Sequence, residues 1–227
     1  MNIKLLSIFN ILLLLMCSSC ALEKKSDKLQ CPDGNSYPKH WWTEIHDPNK
    51  PSWEILPQAG IPCESVILSK RNELGILSNF AATPFNFEGT HYASVEGFWQ
   101  SLLYPENERD VRNKWGQFLH SRKQVEQMSS FEAKKAGDFA EELMIKQKAN
   151  WVTYKGKKIR YRDENIGEHY NLIKNVMLAK KYQNKMVDDV LRATGKLKLL
   201  PDHITSENDP KSWKYNEIWE SIRSSKE

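Results

Sequence analysis

Ser94-Val95-Glu96-Gly97-Phe98-Trp99-Gln100 seats a single carboxylate in the first turn of an otherwise apolar and aromatic helix. A serine N-cap satisfies free amide donors, and Val95, Phe98, Trp99 and Leu102 recur at helical spacing, so the helix is expected to start at Ser94 and stop before Pro105. Glu96 then stands beside an aromatic wall. Desolvation by Phe98 and Trp99 would raise its pKa while the helix N-terminus would lower it, and a carboxyl pulled both ways suits proton transfer. The simpler role open to it is to complement the helix dipole.

Upstream of this helix, Ser65 to Ser69 reads as a short strand, and Phe85-Asn86-Phe87 and Thr90-His91-Tyr92 alternate around Glu88-Gly89 as a hairpin. Downstream the chain turns mostly helical. Ser129-x-x-Glu132 reads as a capping box, followed by the stripe Ala133, Ala136, Ala140, Leu143 and Met144. Trp151 to Tyr154 with Lys155-Gly156 and Ile159 predicts a second hairpin. Further helices are marked by Ile166, Tyr170, Ile173 and Met177, by Val187, Val190 and Leu191, and by Trp213, Trp219 and Ile222. The expected class is α+β, a predominantly helical single domain with small antiparallel strand pieces.

The N-terminus has a different character. Lys4 precedes an apolar run from Leu5 to Met16, and small residues then lead to Cys20, which reads as a secretory signal over residues 1–19 with Cys20 as a candidate lipidated residue. Lipidation, cleaved export without lipid and an uncleaved anchor are the outcomes open to it. The expected location is outside the cytoplasm, periplasmic or membrane-anchored. Removal of that segment takes away only Lys4, so the net charge of +4 becomes +3, and basic residues are interspersed with acids rather than massed. Non-specific nucleic-acid binding is therefore not implied.

Residues 20–62 form a polar arm holding six of the ten prolines, in which little regular structure is expected, and residues 63–227 the domain proper. Trp41, Trp42 and Trp53 would be costly to leave in water, so part of the arm is expected to pack on the domain. Cys31 and Cys63 could pair in an oxidising compartment. No cysteine or histidine spacing suggests a metal, and no cofactor is expected.

The ordered set Leu77-Ser78-Asn79-Phe80, Pro84-Phe85, Gly89, Tyr92, Ser94-Val95-Glu96 and Gln100 resembles the opening signature of the NADAR family, also called YbiA-like proteins. The resemblance continues through Lys134 with Ala136-Gly137 and through Lys180-Lys181-Tyr182-Gln183-Asn184, and spans approximately Val66 to Arg223. It implies a helix-rich α+β fold with a pocket for ribosylated nucleotides. Characterised members are N-glycosidases that hydrolyse phosphoribosylated riboflavin-pathway intermediates or remove ADP-ribose from guanine. By resemblance Glu96 is a functional residue, and Asp209 in Glu207-Asn208-Asp209 a second. The chain carries Gly97 and Leu103 where the family commonly has His and often Lys.

Cleavage of a ribose–nitrogen bond leaves positive charge on the anomeric carbon and requires water and a proton for the departing nitrogen. Glu96 is expected against the ribose, with Asp209 or His169 as the second proton-transfer group. Phe80, Phe98 and Trp99 are candidate stacking surfaces, Asn79 a reader of a base edge or hydroxyl, and Lys70, Arg71 and Lys134 candidate phosphate holders. Each has a plainer alternative: core burial for Phe98 and Trp99, a turn for Asn79, solvated positions for the basic residues, a structural role for His169 and helix entry for Asp209 before Pro210. The leading expectation is an exported or lipid-anchored N-glycosidase acting on a small-molecule ADP-ribosyl or phosphoribosyl substrate. The alternatives are a non-catalytic ADP-ribose or nucleotide-binding envelope lipoprotein, and a structural lipoprotein whose aromatic arm contacts polysaccharide.

Overall fold

A computed structural model describes residues 27–225; the segment read as a signal, with Cys20, lies outside the described residues. In chain order the elements are β1 (Lys28–Gln30), β2 (Ser36–Pro38), β3 (Ser65–Ile67), β4 (Phe85–Phe87), β5 (Thr90–Tyr92), α1 (Val95–Ser101), α2 (Arg122–Glu126) and α3 (Ser130–Lys146). They continue with β6 (Trp151–Tyr154), β7 (Lys157–Arg160), α4 (Glu168–Gln183), α5 (Lys185–Ala193), β8 (Lys198–Leu200) and α6 (Tyr215–Ser224). The class is the α+β one expected, with six α-helices around two-stranded sheets among the described residues. Both hairpins form, β4 with β5 and β6 with β7, in antiparallel register.

Two details depart from the sequence reading. β3 pairs with β8 in parallel, Val66 opposite Leu199, so that one sheet closes the domain's beginning onto its last quarter. The expected capping box at Ser129 and Glu132 does not form, because Ser130 adopts φ 54° and donates its N–H to the Phe80 carbonyl at 3.1 Å, which turns the helix entry toward that loop. A capping box is present instead on α2, between Ser121 and Gln124.

All seven residues of α1 are buried, the polar Glu96, Gln100 and Ser101 together with the apolar Val95, Gly97, Phe98 and Trp99. It packs between α2 and α3 and also touches α4. Its N-terminal donors are satisfied by Ser94, whose Oγ accepts from the Gly97 amide at 2.8 Å, and the Leu102 carbonyl at its far end accepts from the buried Arg112 guanidinium at 2.6 Å. A β-carbon at Gly97 would meet the Met128 carbonyl oxygen at 2.4 Å, so a residue with a side chain cannot stand there without moving backbone.

The described part of the arm packs on the domain. β1 and β2 form a small antiparallel hairpin, Trp41 is almost fully buried and donates to Glu73 at 2.6 Å, and Trp42 donates to the Ser65 carbonyl at 2.8 Å. Cys31 and Cys63 form a disulfide. Short 3-10 turns at Lys39–Trp42 and Pro57–Ala59 complete the segment, which is more ordered than its proline content suggests. Among the described residues no helix is long and apolar enough to cross a membrane.

Candidate active site

One face of α1 opens on a cleft of about 440 Å³. Glu96, Trp99 and Gln100 line it from α1, Phe131, Lys134, Asp138 and Glu141 from α3, and Ser78, Asn79 and Phe80 from the loop before β4. The position of Glu96 follows from its backbone: its N–H donates to the Asn79 carbonyl at 2.9 Å, locking the start of α1 to the Asn79 loop. Its carboxylate accepts from Gln100 Nε2 at 2.7 Å, one helical turn on.

Glu96 is only 6% exposed, and burial pushes its pKa up from 4.5 to about 7, against the opposing pull of Gln100 and Lys134. Desolvation, one of the two influences expected at this residue, dominates, and the counterweight is the Gln100 hydrogen bond with Lys134 rather than the helix N-terminus. A carboxyl that changes charge near neutrality can hold or release a proton during a reaction at physiological pH.

The expected site residues divide into two groups. Glu96, Asn79, Phe80, Trp99, Lys70 and Lys134 all line the cleft. Phe98 does not: it is fully buried on the opposite side of α1, edge-on to Tyr92 with ring centres 4.9 Å apart, and belongs to the core. Arg71 is committed elsewhere, donating to both carboxylate oxygens of Glu54 at 2.8 and 2.7 Å and pairing with Asp47 at 2.9 Å.

Asp209 closes a turn, accepting from the Ser206 amide at 2.8 Å, and is absent from the cleft lining; nor does it cap the following 3-10 turn, whose N-cap is Pro210 with no side-chain cap bond. His169 lies behind the wall, 1% exposed, edge-on to Trp99 and Tyr161, with Nδ1 3.0 Å from Ser212 Oγ. Burial holds its pKa down at about 4, which keeps the ring neutral and unsuited to donating a proton as an imidazolium.

The histidine that does line the cleft is His203. Its Nδ1 lies 3.1 Å from Oδ1 of the buried Asp202, and its ring stacks on Tyr215, with 9° between the planes. Burial works against the Asp202 anion, but hydrogen bonds from His203 and Lys70 hold its pKa below the usual carboxylate value. Lys70 is ion-paired to Asp202 and Lys134 to Asp138, so each cleft lysine shares its charge with a carboxylate. Nothing in the local pattern of Pro201-Asp202-His203-Ile204 marks these residues; the pairing of this segment with residues 53–55 brings His203 and Ile204 to the cleft.

Two cleft-lining side chains keep a buried polar atom without a hydrogen-bond partner among the described residues, Asn79 Oδ1 and Trp213 Nε1. Such atoms are costly to bury alone, and an acceptor and a donor at one cleft suit a ligand with both functions. Among the described residues no cluster of three or more His, Cys, Asp or Glu is arranged to hold a metal ion.

Among solved structures, the chain is similar to the NMR structure of the E. coli protein YbiA, at 17% identity and a TM-score of 0.43, over 70% of this chain and 84% of that one. No family model and no curated protein matches the sequence.

Proposed function

We propose that this chain is an N-glycosidase that hydrolyses the bond between a ribose and a nucleobase-like nitrogen, in an ADP-ribosylated or phosphoribosylated substrate as the resemblance implies. The observation that carries the reading is the placement of Glu96, a buried carboxyl with a pKa of about 7 at the wall of an aromatic cleft. As an anion it takes a proton from water attacking the anomeric carbon and offsets the positive charge that grows there. The electron pair of the breaking bond leaves with the nitrogen, which is protonated by His203 in the role first expected of Asp209 or His169. Trp99 and Phe80 offer ring surface to the base, and Asn79 offers its unpaired acceptor.

Export through the N-terminal segment and attachment through Cys20 belong to the same proposal and rest on the sequence alone. A second reading, a nucleotide-binding protein without hydrolysis, draws support from Gly97 and Leu103. Both are buried in the packing of α1, so neither supplies the polar side chain common at that place in the family. One assay separates the two: the full chain is incubated with ADP-ribosylated guanosine and with ribosylaminopyrimidine phosphates, and free base is measured by chromatography. Base release by the wild type and its loss in Glu96→Gln supports hydrolysis; binding without release by the wild type supports the second reading.

A further inference from the structure

The cleft has a wall that the family resemblance does not cover. Residues 53–55 run antiparallel to residues 202–204: Ile55 N–H donates to the Asp202 carbonyl at 2.9 Å, Ile204 N–H to the Trp53 carbonyl at 3.2 Å, and Glu54 is bridged to His203. Side chains alternate along such a ladder. Glu54 is taken by Arg71, while Trp53 joins the cleft lining.

There Trp53 is 38% exposed, with its ring centre 6.2 Å from that of Phe131, which in turn stands edge-on to Phe80 at 5.2 Å. The Lys70 ammonium lies 6.0 Å from the Trp53 ring centre and 5.3 Å from that of Phe80. A large ring left half-open beside two others, with a cation between two of them, is a surface for a planar, electron-rich partner. The arm that carries Trp53 is fixed on both sides, by the Cys31–Cys63 disulfide and by the Arg71 ion pairs to Asp47 and Glu54. Trp53 is therefore presented to the cleft by a braced segment rather than by a loose tether.

We infer that Trp53 is a specificity-determining residue of this cleft, contacting the planar base of the substrate opposite Phe80, so that the arm is part of the binding site. This rests on the N-glycosidase reading of the same cleft. A ring that holds the base equally in the ground and transition states governs KM and leaves kcat alone.

The test compares wild type, Trp53→Ala and Trp53→Phe in the full chain, with ADP-ribosylated guanosine as substrate and ribose 5-phosphate, which has no base, as competitive inhibitor. The expected result is a KM about 10-fold higher for Trp53→Ala with kcat within about 2-fold, most of the loss recovered by Trp53→Phe, and inhibition by ribose 5-phosphate equal in all three. An unchanged KM in Trp53→Ala, or equal weakening of ribose 5-phosphate, overturns the assignment while leaving the enzyme reading intact. No turnover by the wild type overturns the enzyme reading and this assignment with it.

Discussion

Gln100 donates from Nε2 to Glu96 Oε1 at 2.7 Å, the two side chains lying one turn apart on the face of α1 that lines the cleft. This bond opposes the effect of burial on Glu96. Gln100→Leu is therefore expected to raise the Glu96 pKa further, because a hydrogen bond to a charged group contributes about 1.5–3 kcal/mol and about 1.4 kcal/mol corresponds to one pH unit. The acid limb of the pH profile of kcat/KM should move up by about one to two units. An unmoved limb would mean that Glu96 is not the group whose ionisation controls turnover.

Gly137 on α3 faces that same pair. A β-carbon there would lie 1.8 Å from Gln100 Oε1, so Gly137→Ala must push the amide aside. The obstructing atoms are the far end of a side chain, so the fold should survive with a loss of about 1–3 kcal/mol, while the Gln100 bond to Glu96 is disturbed. The variant is expected to fold, unfold at lower denaturant than wild type, and shift its pH profile in the direction of Gln100→Leu. Wild-type denaturation and pH curves together would contradict the packing described here.

Burial of Glu96 also has a stability consequence. With a folded pKa of about 7 against an ordinary 4.5, the folded protein holds this proton more tightly than the unfolded chain does. The group's favourable contribution is full below about pH 4.5 and is lost as pH rises through about 7, a difference of about 3 kcal/mol. Glu96→Gln removes that dependence. It should match the wild type at about pH 4 and exceed it by up to about 3 kcal/mol at about pH 8.5, in chemical denaturation at both pH values. Equal stability at the higher pH would show that the carboxylate ionises without penalty.

The sequence made some of this legible and could not carry the rest. Alternation around Glu88-Gly89 and Lys155-Gly156 located both hairpins because each is built from neighbours in the chain. The parallel pairing of Val66 with Leu199 joins residues far apart, each in a strand of three residues, and leaves no periodic trace. Phe98 and Trp99 are adjacent, yet their side chains leave α1 about 100° apart, so only one can face the cleft. Which one does is decided by where α3 and the Asn79 loop pack. The histidine of the last third shows the same limit: His203 reaches the cleft through pairing of its segment with the arm, with Asp202 buried behind it, whereas Asp209, a few residues further, serves a local turn.

The most direct measurement is the pH dependence of kcat/KM for release of guanine from ADP-ribosylated guanosine by the full wild-type chain, beside Glu96→Gln. The expected wild-type curve rises through an apparent pKa of about 7, the value that burial imposes on Glu96, and the variant is expected to fall by at least about 100-fold and to lose that rise. A Glu96→Gln curve that overlays the wild type would contradict the assignment of this carboxyl to the chemistry.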